Sequence, residues 1–211
     1  MSRDAGVSGG EIRVLLADDQ HLVRGALAAL LALEDDIDVV GEVGRGDEVV
    51  AAVSELKPDV VLLDVEMPGI DGLAAAAAVR EAAPSTRVLI VTTFGRPGYL
   101  RRAMEAGALG FVVKDAPADA LANSVRRVAR GERVVDPTLA AATLAGGPSP
   151  LTGRERDALV AARDGATVAD IAHRLFLSEG TVRNYLSSAI AKTGCRNRLE
   201  ALRVAENNGW L

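Results

Sequence analysis

The stretch Val60 to Asp64 (VVLLD) shows the pattern that decides the fold of the first half of the chain. Two other apolar runs also end on a polar side chain, Val14 to Asp19 (VLLADD) and Val88 to Thr92 (VLIVT). Short apolar runs separated by amphipathic helical stretches are typical of buried parallel strands in a βαβ series. Ligands of such sheets bind beyond the carboxyl ends of the strands. The residues predicted to converge on one pocket are Asp18, Asp19, Asp64, Thr92 and Lys114.

The charge of the chain is unevenly distributed over its 211 residues. Residues 1–146 carry 15 Lys and Arg against 22 Asp and Glu (net −7), whereas residues 147–211 carry 9 against 7 (net +2). This difference favours two domains with separate partners. The single Cys195, the absence of a signal-peptide pattern and the short apolar stretches predict a cytoplasmic protein with no membrane insertion. Residues 1–10 are predicted to form a flexible tail.

Five β/α units are predicted from Glu11 onward. Strands are expected near residues 12–17, 38–43, 59–64, 87–92 and 109–113, with helices near 21–33, 46–56, 72–82, 97–106 and 117–130. Because parallel crossovers share one hand and each helix must bury its apolar stripe, helices should cover both faces of the sheet. In the first helix the predicted buried stripe consists of Leu22, Val23, Ala26, Leu27 and Leu30.

The predicted pocket has the chemistry of a divalent-cation site. Two carboxylates at one strand end and a third at another provide hard oxygen ligands, which suit Mg²⁺ together with phosphate oxygens. An Asp carboxylate such as Asp64 can be the nucleophile that forms an aspartyl phosphate, with Lys114 and the metal neutralising charge. A single Asp after a strand is more often a turn residue or helix cap, so the interpretation depends on all five positions together.

The motifs in this half resemble the receiver domain of two-component response regulators, over about residues 11–131. The matching residues are Asp18-Asp19, Asp64 to Gly72 (DVEMPGIDG), Thr92 and Gly110 to Lys114 (GFVVK). The resemblance implies a flavodoxin-like (βα)5 fold in which Asp64 accepts phosphate from a membrane sensor histidine kinase. It also implies that Mg²⁺ is held by Asp18, Asp19, Asp64 and the backbone carbonyl of Glu66. By the same resemblance Thr92 and Phe111 form a switch pair, and Lys114 contacts the phosphoryl group.

Three alternatives exist for this domain. A phosphatase of the haloacid-dehalogenase type would need a second Asp two residues after the nucleophile, where this chain has Glu66. A flavin-binding protein would need a phosphate loop after the first strand, where Asp18 and Asp19 would repel a phosphate that lacked a metal. A regulator that works without phosphorylation is the third alternative, although every expected pocket residue is present.

The remaining sequence predicts a linker over residues 132–147 and a helical domain over residues 148–211. Pro137, Gly146, Gly147 and Pro148 interrupt the helical pattern at the linker. Thr152 with Glu155 and Thr167 with Asp170 have capping-box spacing, and Ser178 is expected to cap a third helix. The short connection before Ser178 has the length of a helix-turn-helix, whose second helix lies in the DNA major groove.

On the third helix, Val182, Leu186 and Ile190 are expected to face the core, and Arg183, Asn184 and Ser187 another side. Arg can bond guanine, Asn can bond adenine, and Thr181 at the helix start can meet phosphate. A solvated polar face or a protein-binding domain is the alternative, because a charge of +2 is small.

This half resembles the four-helix output domain of the NarL/FixJ (LuxR-type) regulators. The matching residues include Leu151 to Arg156 (LTGRER), Thr181 to Arg183, Lys192 and Arg198 to Ala201. The resemblance implies binding of double-stranded promoter DNA through Thr181, Arg183, Asn184, Ser187 and Lys192. Tyr185 stands where His is common, and Ser187 is shorter than the usual Lys.

The resemblance also implies a homodimer that forms on phosphorylation. The expected interfaces are helices one and five of the receiver, with the face near helix four as the alternative, and the last helix of the output domain, about residues 196–207. RNA polymerase is a candidate partner. The stretch Thr92 to Tyr99 (TTFGRPGY), with Leu33 to Asp36, resembles family members that control fatty-acid desaturase genes.

Overall fold

In the computed structural model the chain divides into two compact units. One consists of Met1–Gly95 and Arg102–Asp136, the other of Arg96–Arg101 and Pro137–Leu211. The structure describes residues 10–93, 95, 97–115, 117–145, 147 and 149–211. Residues 1–9 of the predicted tail lie outside the described residues, as do Phe94 and Arg96 and the predicted linker residues Gly146 and Pro148.

Within the described residues, the first half of the chain forms a six-stranded parallel sheet in the order β2-β1-β3-β4-β5-β6. The strands are β1 (Ile12–Ala17), β2 (Ile37–Val43), β3 (Val60–Leu63), β4 (Arg87–Thr92), β5 (Gly110–Val113) and β6 (Val134–Val135). The helices are α1 (His21–Leu31), α2 (Val49–Leu56), α3 (Gly72–Ala82), α4 (Pro97–Ala106) and α5 (Ala118–Ala129), with one 3-10 turn at Gly46–Glu48. The predicted α/β class and its five β/α units are confirmed.

The register of the sheet brings the polar strand ends to one edge. Ala17, the last residue of β1, pairs with Leu63 at the end of β3, and Leu63 pairs with Ile90 in β4. At the end of β4, Thr92 pairs with Val113, the last residue of β5. The central strands β3 and β4 are buried on both faces because their side chains are almost all apolar. The residues that follow these strands therefore emerge side by side.

The buried stripe predicted for α1 is only partly right, because Leu27 packs against the core and Val23 is partly buried, whereas the other three members are exposed. Leu22 is 87% exposed, Leu30 is 39% exposed and Ala26 is also exposed, whereas Leu31 is fully buried. Helix α1 is apolar on nearly every side, so its periodicity does not tell which side meets the sheet. The exposed set, which we call the α1 apolar face, consists of Leu22, Ala26, Leu30 and Leu33.

The segment predicted as a linker contains regular structure. Val134 and Val135 form β6 and pair with Gly110 and Phe111, and α6 extends over Pro137–Ala145. A proline at the first position of a helix does not break it, because that position has no intrahelical partner for an N–H group. Pro137 therefore marks the start of a helix here, where the sequence analysis took it as a break.

The second half forms the predicted four-helix domain, with α7 (Gly153–Ala161), α8 (Val168–Leu175), α9 (Glu179–Lys192) and α10 (Arg198–Asn207). Both capping boxes are confirmed, because each threonine oxygen accepts from the backbone of the acidic residue three positions on, and the acid accepts in return. The Ser178 cap of α9 is also confirmed. Between α8 and α9 the chain turns at Phe176, whose φ of 56° is left-handed and whose side chain is 94% exposed.

No helix among the described residues combines the length and the apolar character that crossing a membrane requires.

Candidate phosphoacceptor pocket and nucleic-acid interface

Three carboxylates converge at the carboxyl edge of the sheet. Asp18 and Asp19 follow β1, and Asp64 follows β3. One oxygen atom of each lies within 4.8 Å of the others. Asp18 and Asp64 are each only 3% exposed, whereas Asp19 is open to solvent. This set of hard oxygen donors, with one side facing solvent, could hold a divalent metal ion and fits Mg²⁺.

Lys114 joins the two buried carboxylates. Its Nζ lies 2.6 Å from Asp18 Oδ2 and 2.9 Å from Asp64 Oδ2. Burial lowers the pKa of Lys114, but its bonds to Asp18 and Asp64 outweigh burial and hold that pKa above its ordinary value. The lysine is therefore a charged, fixed cation beside the predicted nucleophile.

Asp64 has a raised pKa, mainly because burial disfavours its charged form. Lys114 lowers the pKa of Asp64 and the nearby charge of Asp18 raises it, and the sum stays above the ordinary value. Asp64 Oδ1 accepts a hydrogen bond from the Val65 N–H at 2.7 Å. One oxygen thus points at a backbone amide and the other at the Lys114 ammonium.

The other predicted pocket residues lie around this centre. Thr92 is buried at the end of β4, and its carbonyl accepts from the Lys114 N–H at 2.8 Å. Phe111 is buried in β5. Glu66 lies two residues beyond Asp64 with its side chain in solvent. The role of its carbonyl as a metal ligand stays a prediction.

The loop after Asp64 is closely packed. A Cβ atom on Gly72 would lie 1.8 Å from the carbonyl oxygen of Asp64, so only glycine fits where α3 begins. Gly69 has a φ of +85°, which other residues rarely adopt. The two glycines of the Asp64-to-Gly72 motif therefore set the path of the chain behind the carboxylate.

Arg24 of α1 also borders the pocket, although the sequence motifs do not predict it as a site residue. Its guanidinium donates through Nη1 to the backbone carbonyl of Asp18, and its Nε lies 3.2 Å from Glu42 Oε2. The only sequence signal is a basic residue within an otherwise apolar helix. Its partners are set by how α1 packs on β2, which periodicity does not give.

The second candidate site is the outer side of α9. Arg183, Asn184 and Ser187 are exposed there, while Val182 and Leu186 are buried in the domain core, as predicted. The backbone N–H of Thr181 donates to the Ser178 cap, and the two hydroxyls lie 2.8 Å apart. An exposed Arg-Asn-Ser surface on the second helix of a helix-turn-helix can reach base edges.

The charge on this surface is partly paired. Glu179, in the first turn of α9, accepts from Arg183 at 2.5 Å, and both side chains are about half exposed. Surface pairs of this kind are weak, so DNA can replace this contact. Glu179 is not among the predicted site residues, although its i, i+4 spacing to Arg183 is a sequence signal for this pair.

Lys192, the last residue of α9, contacts another helix of the domain. Its Nζ donates to both carboxylate oxygens of Glu155 at 2.8 Å, and Ser188 Oγ donates to the same carboxylate at 2.6 Å. Glu155 is 4% exposed, and this network, with Thr152, lowers the pKa of its carboxyl to about 2 although burial acts in the opposite direction. Lys192 thus ties α9 to α7, and its contact with DNA stays a prediction.

Comparisons with known proteins agree with this geometry. The family described as the response regulator receiver domain matches residues 14–126, and the luxR family of bacterial regulatory proteins matches residues 149–205. The chain is 44% identical over 205 residues to the response regulator RamR of Streptomyces coelicolor (96% of this chain, 99% of RamR). It is 41% identical over 199 residues to the transcriptional regulatory protein DesR of Bacillus subtilis (94% of this chain, 98% of DesR).

Among solved structures, the response regulator ChrA of a heme-sensing two-component system is 35% identical with a TM-score of 0.58. The match covers 96% of this chain and all of ChrA. A parallel sheet with a buried carboxylate–lysine pocket, followed by a helix-turn-helix, is the architecture of a two-component response regulator. The chain belongs to this family, in its LuxR-type branch of DNA-binding transcriptional regulators, which is not an enzyme family. Membership excludes the phosphatase and flavin-binding alternatives.

Proposed function

We propose that Asp64 is the phosphoacceptor of this regulator and that a sensor histidine kinase is its phosphodonor. The observation that carries the proposal is the placement of a buried Asp64 oxygen 2.9 Å from Lys114 Nζ, beside the carboxylates of Asp18 and Asp19. An Asp64 oxygen forms the bond to phosphorus while the bond from phosphorus to the kinase histidine breaks, and the histidine keeps that electron pair. Such a transfer requires positioning and neutralised charge more than covalent chemistry.

Asp18, Asp19, Asp64 and the carbonyl of Glu66 would hold Mg²⁺ in this site. When bound, Mg²⁺ neutralises the negative charge on the phosphoryl oxygens and aligns them for in-line transfer. Lys114 is already within hydrogen-bond distance of Asp64 and can follow the phosphoryl oxygens as they arrive. The Thr92 hydroxyl supplies a second donor from the end of β4.

Phosphorylation then favours a dimer. Recruitment of Thr92 and Lys114 to the phosphoryl group shifts the end of β4 and changes the preferred position of Phe111. The receiver then favours the one of its two conformations whose surface self-associates. The α1 apolar face, of which Leu22 and Leu33 are 87% and 78% exposed, supports α1 as part of the receiver interface. Leu199, 62% exposed on α10, supports a second contact between the output domains.

The dimer would bind double-stranded promoter DNA through α9, with Arg183 and Asn184 at base edges and the start of the helix at phosphate. In this proposal Arg183→Ala lowers the DNA-binding free energy by about 1–3 kcal/mol, because one base contact is lost. The variant also loses sequence preference at that base pair. The exposed Arg154 on α7 provides the matched control, because Arg154→Ala removes the same charge from a helix outside the proposed DNA and dimer contacts. Equal losses for both variants would contradict base contact by Arg183.

The target genes depend on these few base contacts. Control of lipid-desaturation genes stays a prediction that depends on the sequence resemblance and on the similarity to DesR. Relatives of similar identity, such as RamR, carry other names. An RNA polymerase contact is likewise a prediction.

The phosphoacceptor is tested by intact mass and light scattering after incubation of the full chain with Mg²⁺ and acetyl phosphate. We expect one added phosphoryl group and dimer growth for the wild type, and neither for Asp64→Asn. The matched control is Asp59→Asn, because Asp59 lies at the amino end of β3, where it accepts from the Arg13 N–H, and should behave as wild type. An adduct on Asp64→Asn would show that another residue accepts phosphate. DNA binding without any adduct, from either acetyl phosphate or a kinase, would favour the phosphorylation-independent regulator.

A further inference from the structure

Arg24 is a nearly buried cation behind the acidic pocket. Its side chain is 14% exposed, although arginine is usually solvated on a surface helix such as α1. One end of the guanidinium donates to the carbonyl of Asp18, and the Nε side meets the Glu42 carboxylate near the end of β2. A single side chain thus connects the metal-binding loop to the neighbouring strand.

The residue that Arg24 holds is restrained at several other atoms. The Asp18 N–H donates to the carbonyl of Val43 at 3.1 Å, and Asp18 Oδ1 accepts from the Gln20 N–H at 2.9 Å. Together with the Arg24 bond, these contacts fix both backbone polar groups of Asp18 and one of its carboxylate oxygens. The other oxygen, Oδ2, is directed toward Lys114. These contacts therefore set the geometry of Asp18.

Arg24 also acts on an unfavourable charge arrangement. Three carboxylates within 4.8 Å of one another repel, and this repulsion tends to push the Asp18-Asp19 loop outward. A guanidinium on the backbone side of that loop opposes the movement without occupying the pocket. Because it binds a carbonyl and not the metal-facing oxygens, it does not compete with the metal.

We propose that Arg24 is a positioning residue for the metal site, which holds the Asp18-Asp19 loop against Glu42 so that the carboxylates face Asp64. The proposal rests on the proposed function, because it assumes that this pocket binds Mg²⁺. Partners that orient metal ligands typically change metal affinity 10- to 100-fold, and about 10-fold is expected here because only one ligand loop is held.

The geometry separates this role from a general charge effect. Arginine presents a rigid fork to two acceptors, whereas lysine has a single nitrogen. Arg24→Lys keeps the charge but reaches either the Asp18 carbonyl or Glu42, and Arg24→Met keeps the length without charge. We expect Mg²⁺ affinity in the order wild type, then Arg24→Lys, then Arg24→Met.

The test is calorimetric titration of Mg²⁺ into the unphosphorylated full chain, which does not depend on phosphoryl transfer. Arg24→Met should raise the Kd for Mg²⁺ about 10-fold. The control Arg45→Met removes an exposed arginine that pairs with Asp47, and should leave the Kd unchanged. An unchanged Kd in folded Arg24→Met, or equal shifts in Arg24→Met and Arg45→Met, would overturn the proposal.

A second variant keeps the test decisive if Arg24→Met does not fold. Glu42→Gln removes the charge of the carboxylate that anchors Arg24 and should raise the Kd for Mg²⁺ by a smaller factor, about 3-fold by the same reasoning. A wild-type Kd in Glu42→Gln would then overturn the proposal.

Failure of the proposed function has a different signature. The Mg²⁺ dependence of phosphorylation by acetyl phosphate should shift to higher concentration in Arg24→Met and reach the wild-type rate at saturation. If neither the wild type nor any variant is phosphorylated, the proposed function fails. The order of Mg²⁺ affinities measured by calorimetry still decides the role of Arg24.

Discussion

At the residue scale, Lys114 holds two buried carboxylates together in the absence of a metal. Because Lys114 Nζ contacts the Oδ2 atoms of both Asp18 and Asp64, a metal that takes these oxygens competes with the lysine for them. The lysine therefore stabilises the metal-free protein and opposes the metal at the same time. This competition makes a thermodynamic prediction that is independent of phosphorylation.

We expect Lys114→Met to lower the unfolding free energy of the metal-free protein by about 3 kcal/mol, because the variant leaves two buried carboxylates without a cation. Saturating Mg²⁺ should then raise the thermal midpoint more in the variant than in the wild type. Differential scanning calorimetry with and without Mg²⁺ measures both effects. Lys57→Met, at an exposed lysine, is the control, and a smaller Mg²⁺ response in Lys114→Met would contradict the competition.

Glu155 gives a second prediction at this scale. Its folded pKa of about 2 lies below the ordinary 4.5, so its contribution to stability is complete above about pH 4.5 and is lost as the pH falls toward 2. The single tryptophan, Trp210, packs on the core of the second domain and reports its unfolding. Fluorescence-detected denaturation should show a stability loss in this window that is smaller in Glu155→Gln.

The same variant should be less stable than wild type at neutral pH by about 1–3 kcal/mol, since charged hydrogen bonds to Lys192 and Ser188 are weakened. Glu179→Gln removes an exposed carboxylate of the same domain and should stay close to wild type. Parallel pH profiles for wild type and Glu155→Gln would show that Glu155 does not carry the dependence.

At the element scale, the sequence predicts most of the fold and the centre of the pocket. Asp18, Asp64 and Lys114 are found because each directly follows an apolar strand, and parallel strands bring their ends together. Arg24 and the Lys192 contact with Glu155 are not found, because they depend on how one element packs on another. Helix α6 is missed because Pro137 can either end or begin a helix.

Helix α1 shows what an apolar pattern leaves open. Its sequence predicts a helix, but both sides are apolar, and only packing on the sheet reveals that Leu22, Ala26 and Leu30 stay outside. An apolar row on the outside of a helix is costly to keep in water, which is why we propose α1 as part of the receiver interface.

We expect Leu22→Lys to block phosphorylation-dependent dimerisation without loss of stability, because the side chain is 87% exposed and its removal leaves no cavity. Light scattering after acetyl phosphate treatment measures the dimer, and intact mass confirms that Asp64 is still modified. Leu144→Lys is the matched control, since Leu144 is 81% exposed on α6. Full dimerisation of the Leu22→Lys variant would place the receiver interface elsewhere, with the face near α4 as the remaining candidate.

At the scale of the whole molecule, the charge distribution explains why DNA binding should require two copies. One output domain carries a net charge of only +2, and the receiver half carries −7. A single output domain therefore has little electrostatic attraction for DNA. This attraction supplies most of the affinity in non-specific DNA binding. A two-fold dimer presents two α9 helices, at half-sites about 34–36 Å apart, and doubles the phosphate contacts.

This coupling predicts a change in the salt dependence of DNA binding. The slope of log K against log salt is proportional to the number of phosphates contacted, so the slope per complex should be about twice as steep for phosphorylated wild type as for Asp64→Asn. Fluorescence anisotropy with a labelled duplex, at several salt concentrations, measures it. The phosphorylated Leu22→Lys variant separates phosphorylation from dimerisation. It carries the phosphoryl group but should keep the shallow slope of a monomer. A steep slope in that variant would mean that phosphorylation acts on the output domain without the α1 interface. Equal slopes in all three proteins would contradict a coupling between phosphorylation of the pocket and DNA binding.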